Sequence, residues 1–361
     1  MEDVIIDTVI AFRRQLHELA ERSGEERRTK ACLMAFLQKY TTLRLDDHGT
    51  WFCAVHEERD ATETLAFRAD MDALPCEAGA EHLCGHDGHS AVLAGLGLYI
   101  ENKMLGKNIV LIFQHAEETG AGGQVCSRAL PQYKVDRVYA FHNIPGWKEG
   151  TILLRDGTFA CASRGMTVAF TGATSHAAYP EFGRNPGFAA ARLITKLPEL
   201  TDPSRFSGLA MATLIGAEIG EKTFGTAAGT AEVHLTLRAW ADADLDALTA
   251  SIEETALLEG ERDGVDTSID FCDIFPATLN STDMLMHLRK LCRSQGLVST
   301  EIPVPFRWSE DFGYYGSLAR SVMVGIGAGE DWPQLHTAQY EFNDRIVPDA
   351  LKLFSLLAQF G

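Results

Sequence analysis

At roughly 150 residues per domain, 361 residues suggest two domains, or one large domain carrying an insertion. A composition of 46% hydrophobic and 23% charged residues is that of an ordinary globular protein and excludes a disordered, collagenous or low-complexity chain. Against 32 Lys and Arg stand 50 Asp and Glu, a formal net charge of −18. Its field repels phosphate backbones and anionic lipid, so neither nucleic acid nor a membrane is an expected partner. No apolar run approaches the ~18 residues that span a bilayer, and the start MEDVIIDTVI lacks a basic segment ahead of an apolar one. The eight scattered cysteines lack the paired spacing of a secreted disulfide framework. A reduced, cytoplasmic chain is expected, most of its thiols acting as small buried hydrophobes.

In chain order, residues 4–40 place apolar side chains at helical spacing (Val4, Ile5, Val9, Ile10, Phe12, then Leu33, Phe36, Leu37) on either side of SGEERRTK, which predicts two helices joined by a polar bend. The runs WFCAVHE, TLAFRAD, NIVLIFQHAEE, VDRVYAFHN and TILLRD read as strands, and SAVLAGLGLYIENK between them as a helix. This alternation predicts an α/β domain with a mostly parallel sheet flanked by helices. Such sheets carry their chemistry at the carboxyl ends of strands, where Asp70, Asp72, Glu117, Glu118 and His142 fall.

From residue 163 the pattern changes. MTVAFTG, TAEVHLTLRAW and DTSIDFC read as strands, and PGFAAARLITKLPEL and DADLDALTASIEETALLEG as helices. Two βαβ-like units in succession predict a smaller, inserted α+β domain of ferredoxin-like type. The helix STDMLMHLRKLCRSQG, the strand SVMVGIGA and a C-terminal helix then return to the first domain. The expected division is 1–162 and 274–361 for the catalytic domain, with 163–273 inserted.

The densest polar cluster is Cys84-Gly-His86-Asp87-Gly-His89. A thiolate and an imidazole two residues apart, in a loop relieved by glycine, make a plausible metal-binding pair. The competing reading is a glycine-rich helix start capped by Asp87. What favours metal is the company: Glu117, Glu118 and His142 at strand ends and His336 in a returning loop. Thiolate, imidazole and carboxylate together suit Zn²⁺, while Mn²⁺ or Fe²⁺ fit where oxygen and nitrogen donors dominate. Five candidate ligands exceed the needs of one tetrahedral ion and suit two ions sharing a ligand at ~3.5–4 Å. Of two adjacent acids leaving a strand, one can bind metal and the other stay free as a general base.

The ordered motifs Arg68-Ala-Asp-Met-Asp-Ala-Leu-Pro75, Cys84–His89, His115-Ala-Glu-Glu118, His142-Asn-Ile-Pro145, His176-Ala-Ala-Tyr-Pro180 with Gly183-Arg-Asn-Pro186, Ser309-Glu-Asp-Phe312 and Leu335-His-Thr337 resemble those of the aminoacylase and carboxypeptidase-type metallopeptidases. The likeness is to their amidohydrolase branch, which includes hippurate hydrolase, indole-acetyl-amino-acid hydrolase and N-acetyl-diaminopimelate deacetylase. The resemblance implies a pair of zinc or manganese ions held by Cys84, His86, Glu118, His142 and His336, with Cys84 as the bridge. It implies Glu117 as general base, Asp72 as the carboxylate orienting a ligand, and His176 as a catalytic residue from the inserted domain, reaching a neighbouring subunit's site in a homodimer formed through that domain. Arg238 and Asn185 are the implied substrate contacts, Arg238 through a substrate carboxylate; a strand arginine in a surface ion pair is the alternative.

Three departures accompany the likeness. The segment 75–84 is shorter than is usual, His115 stands where proline is common, and Gly225–Gly229 replaces an Asn-x-Ile-Pro pattern. The expected activity is hydrolysis of an N-acyl amino acid or similar small amide. The alternatives are a dipeptidase on the same scaffold and a catalytically silent metal- or ligand-binding protein.

Overall fold

Six of the strand-like runs become strands of one eight-stranded sheet in the computed structural model, which describes residues 2–77 and 79–361. Its order is Arg44–Asp47, Phe52–His56, Asn108–Gln114, Thr64–Asp70, Arg137–Pro145, Arg320–Gly329, Ile152–Leu154 and Ser299–Glu301. The four central strands, from Asn108–Gln114 to Arg320–Gly329, are parallel neighbours. Phe52–His56 and Arg44–Asp47 add antiparallel at one side. Thr64–Asp70 is buried along its whole length, as a strand covered on both faces must be, which is why its sequence reads as an unbroken apolar run up to Arg68.

Helices Glu2–His17, His86–Ile100 and Val347–Phe360 share one core with this sheet, in which Val9, Phe12, Leu93, Leu96, Leu351 and Phe354 are buried. His86–Ile100 is apolar nearly all round and buried nearly all round. Parallel pairing puts the ends of Thr64–Asp70, Asn108–Gln114 and Arg137–Pro145 on one edge, beside the start of that helix.

Residues up to Phe159, Thr278–Pro305 and Glu310–Gly361 form this first unit; Ala160–Ala277 with Phe306–Ser309 form a second. The second unit is a four-stranded antiparallel sheet ordered Ala210–Ile219, Thr230–Ala239, Ala162–Thr171, Asp266–Phe275. Helices Gly187–Leu200 and Asp242–Asp263 bury Leu193, Leu197, Leu248 and Ile252 against Val168, Phe170, Val233 and Leu235 of the sheet. Both the mostly parallel α/β sheet and the ferredoxin-like βαββαβ unit expected from the sequence are present.

Local differences have physical causes. The second helix begins at Arg27, inside the run read as a bend, because Arg27–Tyr40 propagates back through residues with good helix propensity. Arg44–Asp47 and Ala210–Ile219 carry no strand signal in sequence: both are edge strands whose exposed positions break the alternation. Among the described residues no helix is long and apolar enough to cross a membrane, and all eight cysteines are free.

Candidate metal centre

The cluster at 84–89 is not a loop followed by a helix. His86 opens the helix His86–Ile100, and Gly85 precedes it in the left-handed region at φ +94°. A β-carbon at Gly85 would lie 2.7 Å from both Asn143 Oδ1 and Tyr340 Oη, and one at Gly88 would collide with the Phe342 ring. The glycines therefore serve close packing and a sharp helix entry, and that entry points His86 at the strand ends.

His86 is fully buried, its Nδ1 3.1 Å from Asp72 Oδ1 and 3.0 Å from the Asp72 carbonyl oxygen. Donation from Nδ1 leaves Nε2 with its lone pair, 3.7 Å from Glu118 Oε1 and 3.8 Å from Glu117 Oε2. On the other side Cys84 Sγ lies 3.5 Å from His142 Nε2, while His142 Nδ1 donates to the Asn143 carbonyl at 2.9 Å. His336, half exposed, brings its Nε2 to 3.8 Å from Glu118 Oε1.

The donor atoms fall into overlapping groups, each within 4.8 Å: Cys84, His86 and His142; Cys84, Glu118 and His336; His86, Glu117 and Glu118. Cys84 belongs to two of them. His89 also faces this edge, but its Nδ1 is 2.7 Å from Asp70 Oδ1 and its Nε2 meets Asn143 Oδ1, so both nitrogens are engaged.

The donor set fits divalent cations. His86 Nε2 and Glu118 Oε1 are buried with no hydrogen-bond partner, a costly condition that a coordinated ion relieves. Burial pushes the carboxyl of Glu118 up to about 7. It holds Glu117 well above the carboxylate range, helped by repulsion from Glu310, Glu118 and Asp311, and holds the Cys84 thiol well above its ordinary value with Glu118 adding to the effect. Positive charge in their midst is the remedy for such crowding.

Around the donors runs a network that sequence reasoning passed over. Arg68, 1% exposed, donates to Asp70 Oδ2 at 2.6 Å, Asp311 Oδ1 at 2.7 Å and Gln114 Oε1 at 2.9 Å, and lies 2.9 Å from Glu310 Oε1. Asp72 Oδ2 accepts from Ser23 Oγ at 2.6 Å and from Glu118 N at 3.0 Å. At Ala116 φ is +49°, a left-handed turn that costs an alanine about 1–2 kcal/mol. The available signal was the recurrence of buried-type motifs, Arg68-Ala-Asp and Ser309-Glu-Asp, with charged residues where core would be expected.

The first unit thus brings together Asp72, Cys84, His86, Glu117, Glu118, His142 and His336. The other three expected site residues are in the second unit. His176 is exposed, its Nδ1 accepting from Ala178 N at 3.0 Å. Asn185 Oδ1 accepts from Gly187 N at 2.9 Å at the start of the following helix. Arg238 is half-buried and donates to Ser309 Oγ at 2.8 Å and the Arg307 carbonyl at 3.2 Å; among the described residues it has no carboxylate partner, so the surface ion pair is absent. His115 packs with its Nδ1 3.5 Å from Cys126 Sγ.

Residues 66–360 match Peptidase family M20/M25/M40, and the chain belongs to that family. It is a metal-dependent hydrolase. Among its relatives are an uncharacterized hydrolase of Staphylococcus aureus (strain bovine RF122 / ET3-1), 27% identical over 98% of this chain and 97% of the relative, and the N-acetyldiaminopimelate deacetylase of Leuconostoc citreum (strain KM20), 26% identical over 99% and 98%. A dinuclear metal-binding peptidase of the M20 family from Bacillus subtilis shares the fold at a TM-score of 0.83 and 21% identity, covering 99% of this chain and 98% of its own.

Proposed function

We propose that the chain is an amidohydrolase that cleaves the amide bond of an N-acyl amino acid or similar small amide, using two zinc or manganese ions. The observation that carries this reading is the position of Cys84 in two donor groups at once, with Glu117 beside them. The family, the deacetylase relative and the dinuclear peptidase with the same fold support it.

In this reading Cys84, His86, Glu118, His142 and His336 would hold the ions, Cys84 being common to two donor groups, and Asp72 would fix the His86 ring through Nδ1. When bound, divalent ions acidify water toward neutrality and polarise an amide carbonyl. Glu117 takes the proton of the attacking water and delivers it to the leaving amine. Burial and the neighbouring Glu310, Glu118 and Asp311 raise its proton affinity, the direction a general base needs. His176 stabilises the developing oxyanion, Arg238, with no carboxylate of its own, takes the substrate carboxylate, and Asn185 adds a substrate contact. The exposed Leu214, Ile215 and Ile219 on the edge strand Ala210–Ile219 support homodimerisation through the second unit.

A panel of N-acetyl and N-benzoyl amino acids beside free-amine dipeptides tests the reading. Release of free amino acid from the N-acyl compounds, stopped by a chelator and restored by zinc or manganese, is the expected result. Preference for dipeptides would reassign it as a peptidase. Arg238→Met should raise KM for carboxylate-bearing substrates about 10–100-fold, the loss of a charged hydrogen-bonded contact of about 1.5–3 kcal/mol. An unchanged KM would remove Arg238 from substrate binding.

A further inference from the structure

The acidic pair sits on a backbone turn that is also tied to a distant part of the chain. Ala116, just before Glu117, is in the left-handed region, and its carbonyl accepts from Gly122 N at 3.0 Å. Its N–H donates to Glu26 Oε1 at 2.8 Å, a buried bond between residues 90 positions apart. The same Oε1 accepts from Gly24 N at 2.8 Å. A second tie runs in parallel, from Ser23 Oγ through Asp72 Oδ2 to Glu118 N. The turn at 23–26 therefore grips the acidic loop at two peptide groups, one on each side of Glu117.

Glu26 has no other evident employment. It is 4% exposed, makes no ion pair among the described residues, and stands before the helix Arg27–Tyr40 without capping it through its side chain. Burial and the nearby Asp72 push its carboxyl up to about 7, the condition of a group kept for its hydrogen bonds and not for its charge. An acid buried with no cation is expensive unless its acceptors are needed.

We propose that Glu26 is a positioning residue which, by accepting from Ala116 N and Gly24 N, holds the 115–118 turn so that Glu118 faces the metal site and Glu117 stands free beside it. The assignment rests on the roles given above to Glu117 and Glu118. It predicts that an amide at this position serves as well as an acid, since a glutamine side chain offers the same carbonyl acceptor. It also predicts that shortening or deleting the acceptor displaces both glutamates.

The test compares E26A, E26D, E26Q and E117Q in the full chain by zinc titration against a chromophoric chelator, by kcat and KM on the best N-acyl substrate, and by thermal unfolding. E26A and E26D should bind zinc about 10–100-fold more weakly, as loss of an outer-shell support does. Their kcat should fall by up to about 100-fold with KM within about twofold, as for a reacting group displaced by about 1 Å. E26Q should restore wild-type zinc affinity and kcat. E117Q should lose turnover while keeping wild-type zinc affinity, so a misassigned base shows up separately as turnover in E117Q, and an exchange of roles between Glu117 and Glu118 as lost zinc affinity in E117Q. If E26D and E26A bind zinc and turn over as the wild type does and lose only thermal stability, the residue is merely structural and the proposal is overturned. If E26A does not fold, the proposal still fails should E26Q be as impaired as E26D.

Discussion

Glu117→Gln is expected to lower kcat by about 10²–10⁴-fold, the range set by loss of a positioned general base, while leaving the metal content unchanged. The physical basis is the division of labour in the turn after Asn108–Gln114. Glu118 belongs to a donor group with Cys84 and His336 and to a second with His86 and Glu117; Glu117 shares only the second, and also faces Glu310 and Asp311, its Oε1 3.4 Å from Asp311 N. A glutamine keeps the volume and the acceptor oxygen but cannot take a proton from water. Parallel measurement of metal stoichiometry and turnover checks this, and a metal-loaded variant with normal turnover contradicts the role of Glu117.

Arg68→Met should lower stability by about 3–5 kcal/mol, the cost of stranding buried partners when one member of a buried ion network is removed. The guanidinium touches Asp70, Glu310 and Asp311, all buried, and even beside it burial pushes the Asp311 carboxyl up to about 8. Calorimetry should show the main transition falling by roughly 10 °C. The pH dependence has a definite sign. A carboxyl whose native pKa is raised above its unfolded value binds more protons when folded, so its favourable contribution is present at low pH and disappears as pH rises through about 8. The variant should therefore recover part of its deficit at pH 5 and be weakest above pH 8. A variant as stable as the wild type at pH 8 would contradict this account of the network.

Which features are legible in the sequence depends on where each feature's energy comes from. Thr64–Asp70 and Asn108–Gln114 are legible because burial on both faces leaves an apolar run that admits few other readings. Ala210–Ile219 is not, because as an edge strand with mostly exposed side chains it answers to its partner's hydrogen bonds and not to a hydrophobic pattern. The candidate donors stand out through residue type and company, Glu118 and His142 at predicted strand ends, Cys84 and His86 in a glycine-relieved loop and His336 in a returning one. What supports them does not. Arg68 and Asp311 are 243 positions apart, and their 2.7 Å contact exists only once Thr64–Asp70 and the 309–312 segment have been brought together by the fold. Glu26 lies in a polar run that reads as solvated bend, and its burial follows from the docking of Ala116, which no local pattern records.

A pair of divalent ions would be held by Cys84, His86, Glu118, His142 and His336, with Cys84 common to two donor groups. Anomalous diffraction from crystals of the chain loaded with zinc or manganese tests it most directly. Two peaks about 3.5–4 Å apart, the spacing of two-metal hydrolases, with Cys84 among their ligands, are predicted. A single peak, or two peaks with Cys84 bound to neither, would contradict it.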